Sequence, residues 1–423
     1  MVNLMEIKLY EKPPLVKVFN YKLEALRGAA SILVIWGHAT LNNNMLDPAY
    51  SPVDNWFHTG TGHLSVLVFF VLSGYVIGLA HPLALTKYTI GDYVKKRLIR
   101  IYPIYFMCLL LALVASNYDF PSLATIAGHV TMTQGISTPI ISAISPSWSL
   151  VYEIIFYVLF IPISIFRLNP LYVALLSIVI GCVNAYFAHS YGSPILPSYA
   201  FGFVFWLSGL VLSRTFSTKG SPIPYSYLLS CLFLFVAIDK LDAPFTLFHR
   251  IGILLFGKDL SVLSNYNIGI ISFRDLAYLP YCLLILVIFT DKKLAYTKLT
   301  LLLFIVLPIF TFWYYYEHLL ISNLSSILLP TTAYALAFSC FAFAGRVEVG
   351  AEFLIKKLEK TGSISYGLYI VHCPILFLMS QVSVFSGTPF TYAIRMLCFL
   401  VLSAWAAFML EKRFQPWIKM KLY

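Results

Sequence analysis

Long apolar runs separated by short polar stretches dominate the chain. Twelve such runs stand out, over residues 24–41, 63–81, 98–116, 148–166, 170–188, 196–213, 226–239, 271–290, 300–320, 324–344, 362–381 and 391–410. Most hold close to twenty residues, enough for a helix to cross a hydrocarbon layer of about 30 Å. The run at 226–239 is the shortest. The short alternating segments of a transmembrane β-barrel are absent, and lipid tolerates no unpaired backbone groups. The pattern predicts an all-α, polytopic integral membrane protein with about 10–12 transmembrane helices.

The polar punctuation sets the orientation. Lys8, Lys12, Lys17, Lys22 and Arg27 precede or open the first run. Every second loop after that is basic, with Lys87 to Arg100, Arg167, Arg214 and Lys219, Lys292 to Lys298, Arg346 to Lys360 and Lys412 to Lys421. The intervening loops at 42–62, 117–147, 189–195, 321–323 and 382–390 hold no Lys or Arg; the loop at 240–270 departs, with Lys240, Arg250 and Lys258. By the positive-inside rule both termini are cytoplasmic. The expected organisation is a cytoplasmic segment 1–22, a single transmembrane domain 23–412 and a cytoplasmic tail 413–423, with no fused soluble domain. The first run ends in "GHATLNNN" without a small-residue cleavage site, so it is expected to stay as a membrane helix.

Composition agrees. Of 423 residues 60% are hydrophobic and 11% charged, against about 25% charged in soluble domains. The net charge of +11 sits at helix ends, which suits lipid headgroups and argues against a nucleic-acid partner. The seven cysteines lie scattered in apolar runs without a CxxC, so neither a disulfide framework nor a metal site is implied.

The ionisable residues inside the runs carry the candidate chemistry, because such groups are costly in lipid. "RGAASILVIWGH" places Arg27 and His38 eleven residues apart, on one helical stripe and roughly 16 Å apart along the axis. That puts Arg27 at the cytoplasmic mouth and His38 well inside the membrane. In "SISYGLYIVHCP", Ser365, Tyr369 and His372 form one polar stripe. In "SPSWSLVYEIIFY", Ser149, Glu153 and Tyr157 share a face, and Glu153 needs polar partners or a wet cavity. "DYVKKRLIRIYPIY" sets Lys96, Arg97 and Arg100 on a basic face. They fit either a snorkelling anchor or a phosphate clamp. A helix–helix hydrogen bond is the structural alternative for either histidine. In "FFVLSGYVIG", Ser73, Gly74 and Gly78 read as packing residues.

Taken in order, Arg-x10-His, "FFVLSGYVIG", "RLIRIYP", "WSLVYEIIFY" and "SYGLYIVHCPI" resemble the membrane-bound acyltransferase family 3. Its members O-acylate surface polysaccharides, lipopolysaccharide and related glycans. The likeness covers roughly 22–165 and 360–412, while 170–350 matches only as apolar spans. Family members commonly have ten core spans, against the twelve runs here. The resemblance implies a multi-pass enzyme of the bacterial cytoplasmic (inner) membrane, using acetyl-CoA as acyl donor and a glycan or lipid-linked glycan as acceptor. It implies His38 as the residue essential for transfer, as general base or acyl carrier. Arg27, Arg97 and Arg100, with Lys96, would hold the nucleotide end of the donor. Glu153 and His372 would orient His38 or relay its proton. The competing reading is a proton-coupled transporter or flippase, which also buries His, Glu and Arg; the internal repeats common in transporters are not evident.

Overall fold

A computed structural model describes residues 21–41, 44–52, 62–116, 119–187, 195–215, 220, 222–257, 270–292, 296–317 and 324–422. The expected basic residues Lys8, Lys12, Lys17, Lys219, Lys258 and Lys293 lie outside these. Each of the twelve apolar runs is mainly helical over its described residues. In chain order the helices are α1 (Tyr21–Leu41), α2 (Gly62–Ala80), α3 (Ile90–Ala115), α4 (Leu123–Val130), α5 (Trp148–Ile165), α6 (Pro170–Phe187), α7 (Ile195–Thr215), α8 (Tyr225–Lys240) and α9 (Ala243–Phe256). They continue as α10 (Leu279–Phe289), α11 (Thr297–Glu317), α12 (Leu324–Ala342), α13 (Ala344–Gly362), α14 (Ser365–Ser380), α15 (Pro389–Phe408) and α16 (Gln415–Leu422). This is an all-α polytopic membrane protein.

Length and apolarity alone qualify six helices among the described residues as membrane spans. They lie at Gly62–Ala80, Ile90–Ala115, Ser142–Ile165, Ile195–Thr215, Thr297–Glu317 and Pro389–Leu422. The other predicted spans are helical but shorter or more polar. In α1 the polar groups are paired inside the protein: Lys22 with Asp291 at 2.7 Å and Arg27 with Glu24 at 2.6 Å. The run at 271–290 divides into a 3-10 turn, Phe273–Tyr278, and the 11-residue α10.

Several segments read as loops or tails are helices instead. The 240–270 loop contains α9, and the 117–147 loop contains α4 and a 3-10 turn, Ser142–Ser147. Residues 344–362 form the amphipathic α13, bent by 116° from the preceding span. The chain after α15 passes through a π-helical turn, Met409–Phe414, into α16. There Gln415 Nε2 donates to the Arg100 carbonyl at 2.7 Å, and Lys95 Nζ donates to the Leu422 carbonyl at 3.0 Å. Residues 413–422 are thus docked on α3.

Small residues decide which helices meet. A Cβ on Gly74 would lie 1.8 Å from the Trp206 carbonyl oxygen, and one on Gly209 would lie 1.9 Å from that of Val71. Helices α2 and α7 are therefore in backbone contact, as small-residue interfaces allow in membranes. Gly28 and Gly362 do the same for α1 and α13, where a Cβ would lie 2.2 Å from Leu358 O and 1.8 Å from Glu24 O. That second contact brings the start of α14 beside Arg27.

Candidate active site

Two polar centres face each other across α14. The first is a cleft of about 780 Å³, counting its open mouth, between α1, α2, α3, α5 and α14. Arg27, Arg97 and Arg100 line it together with Glu153. Arg27 and Arg100 come from helices that never meet in sequence, and the tertiary fold makes them neighbours on one wall. Arg97 lies between two aromatic faces, its Cζ 5.7 Å from the Tyr93 ring centroid and 5.6 Å from that of Tyr157. Its Nε is buried with no hydrogen-bond partner. Arg100 is exposed in the cleft. Lys96 is exposed as well but is not among the residues lining this cleft.

The stripe Ser149, Glu153 and Tyr157 faces the cleft as its spacing predicts. Glu153 accepts from Ser73 Oγ at 2.9 Å and from the Tyr157 hydroxyl. Ser73 also accepts from Trp206 Nε1 at 3.3 Å. Ser73 therefore does more than pack, while Gly74 and Gly78 are packing residues. The carboxylate is held among the arginines, and its hydrogen bonds run to Ser73 and Tyr157 rather than to His38.

The second centre is a histidine pair. His38 Nδ1 and His372 Nε2 are 2.9 Å apart, with the rings inclined by 25°. His372 is fully buried, and its Nδ1 lies 3.2 Å from the Leu368 carbonyl. A carbonyl only accepts, so Nδ1 of His372 carries that proton. In the neutral ring Nε2 is then a lone pair and accepts from His38 Nδ1–H. The network puts the proton of neutral His38 on Nδ1 and leaves Nε2 as a lone pair. His38 is half-buried and lies in the last turn of α1, which ends at Leu41 as the predicted run does.

Tyr369 separates the centres. Its ring lines the cleft and stands edge-on to Phe69 at 5.8 Å and to His372 at 6.4 Å. Its hydroxyl is 2.8 Å from Ser149 Oγ and donates to the Pro146 carbonyl at 3.1 Å. On the predicted stripe Ser365 and Tyr369 thus face the cleft, while His372 sits one turn beyond the wall. The role of Ser73 escapes sequence reasoning, because it looks like an ordinary helix-packing residue until its neighbours are known; Tyr369 stands on the predicted polar stripe, but its place as the wall between the centres needs the fold.

Residues 20–291 match a family model described as an acyltransferase domain. No curated protein and no solved structure matches the chain.

Proposed function

The chain belongs to the acyltransferase family 3 whose model it matches over 20–291, and from that premise we propose that it is an O-acetyltransferase of the bacterial cytoplasmic membrane. It moves an acetyl group from cytoplasmic acetyl-CoA to a hydroxyl of a surface polysaccharide, lipopolysaccharide or related lipid-linked glycan. The observation that carries this reading is the His38–His372 pair, with the Nε2 lone pair of His38 beyond an arginine-lined cleft.

The parts divide the work. Arg27, Arg97 and Arg100 face one opening, with Glu24, Glu153 and Glu411 as the carboxylates near them. Guanidinium groups grip phosphate through paired hydrogen bonds, and the unpartnered Nε of Arg97 supplies one donor. The phosphate-bearing end of CoA sits there, and its narrow arm carries the thioester past Phe69 and Tyr369. Nε2 of His38 takes the proton of the acceptor hydroxyl while that oxygen attacks the thioester carbonyl carbon. The C–S bond breaks, and the imidazolium returns its proton to the departing thiolate. His372, as acceptor for Nδ1–H, steadies the imidazolium and fixes the ring. Attack by Nε2 itself, giving an acyl-imidazole, uses the same geometry.

The test is mass spectrometry of surface glycans from cells with the intact protein or with His38→Ala. A 42 Da mass increment, about that of one acetyl ester, is expected in the first and absent in the second. Equal masses in both, with the variant present in the membrane, would reject the reading.

A further inference from the structure

At the opposite end of α2 from the arginine cleft lies a second polar cleft, of about 970 Å³ with its mouth. It is built where the N-terminus of α2, the C-terminus of α8 and the 3-10 turn before α10 converge. His63 Nε2 is 2.9 Å from Asp275 Oδ1, and Asp275 Oδ2 accepts from the Ser272 N–H at 2.7 Å. Asp242 pairs with Arg274 and accepts from the Tyr278 hydroxyl at 2.5 Å. Asp239 also lines the cleft, and its carboxylate makes no hydrogen bond among the described residues. Leu64 and Leu67 add an apolar patch to the wall.

This cleft is close to the histidine pair. A Cβ on Gly62 would lie 3.9 Å from Cα of Val34, and His38 is one turn, about 6 Å, beyond Val34. The Cα atoms of Gly62 and His38 are therefore within about 12 Å. That is the reach of one or two sugar rings.

The chemistry narrows the occupant. Three carboxylates stand against Lys240, Arg274 and His63, with Arg274 already bound to Asp242 and His63 to Asp275. A phosphate would find Arg274 and His63 already paired and the Asp239 carboxylate against it, and an acyl chain would leave the polar groups unsatisfied. A free carboxylate suits the hydroxyl donors of a sugar, and an apolar wall suits its C–H face. We propose that this cleft is the subsite for a neutral saccharide ring of the acceptor, with Asp239 accepting from its hydroxyl groups. The assignment rests on the function proposed above. It makes the acceptor enter at the end of the molecule away from the arginines.

The test uses the cells' own surface glycans. Cells producing the parent protein, Asp239→Asn or Ile270→Trp are compared for acetyl per glycan repeat, membrane protein level and acetyl-CoA binding after purification. Ile270 is an exposed member of the cleft, so its enlargement blocks the space without disturbing the core. Expected is a fall of about tenfold in acetylation in both variants, the effect of losing a charged hydrogen bond, with the donor still bound. Parent-level acetylation in Asp239→Asn overturns the subsite, as does a loss of acetylation accompanied by a loss of acetyl-CoA binding. Acetyl placed by the parent protein on a charged sugar or a lipid overturns the neutral class. Parent cells without any added acetyl would instead reject the underlying function.

Discussion

Replacing His372 by alanine isolates the tautomer argument. The variant removes the acceptor of the His38 Nδ1–H at 2.9 Å and leaves the arginine cleft untouched. The His38 N–H is half-buried and keeps only the Val34 carbonyl as an acceptor, so the loss costs at most the about 1–3 kcal/mol of an unsatisfied donor. The cost is larger in the transition state, where His38 is charged and its Nδ1–H bond is strongest. Turnover is therefore expected to fall about 5- to 150-fold, with acetyl-CoA affinity within twofold of the parent, about 0.4 kcal/mol or less. His372→Gln places a carbonyl oxygen near the lost nitrogen, so it should recover most of the rate. The assay is release of free CoA thiol by purified protein supplied with its extracted glycan, alongside equilibrium binding of acetyl-CoA. Turnover in His372→Ala within about twofold of the parent would refute the role. So would a His372→Gln variant that folds, binds donor and is no faster than His372→Ala.

Three further outcomes follow from the structure. Arg97→Lys keeps the charge but not the planar fork, so acetyl-CoA binding measured by equilibrium dialysis should weaken about 5- to 10-fold. Gly209→Ala sets a methyl group 1.9 Å from the Val71 carbonyl oxygen. Forcing α2 and α7 apart should cost about 1–3 kcal/mol in detergent thermal unfolding, whereas Gly91→Ala, with nothing within 4 Å, should be neutral. The segment over residues 119–147 should loosen in acid through His129, whose Nε2 accepts from the Ile141 N–H at 3.0 Å. Burial lowers its pKa to about 4, only partly opposed by a backbone hydrogen bond at Pro139. The folded value lies below the unfolded 6.5, so the stability this contributes is complete above pH 6.5 and is lost as pH falls towards 4. Its upper limit is about 3 kcal/mol. Hydrogen exchange of residues 119–147 should rise over that window and rise less in His129→Gln.

The amino-acid sequence by itself determined the helices, the basic side and the polar stripes. Each needs only local information. Backbone hydrogen bonds close within a membrane helix, and spacing along one helix dictates its faces, so Ser149, Glu153 and Tyr157 do share a wall. What the helices do to one another was decided by tertiary structure. His38 and His372 are separated by 334 positions, and nothing in either run names the other. Arg27 joins Arg97 and Arg100 while Lys96 does not line their cleft, because the rotation of α3 is set by its neighbours rather than by its charge pattern. The same holds for Asp239, His63 and Asp275, which come from three separate elements. In an apolar solvent almost every face of a helix is equally welcome. The faces that meet are selected by glycine contacts such as Gly74 with Trp206 and Gly362 with Glu24, and those contacts exist only between segments far apart in the chain.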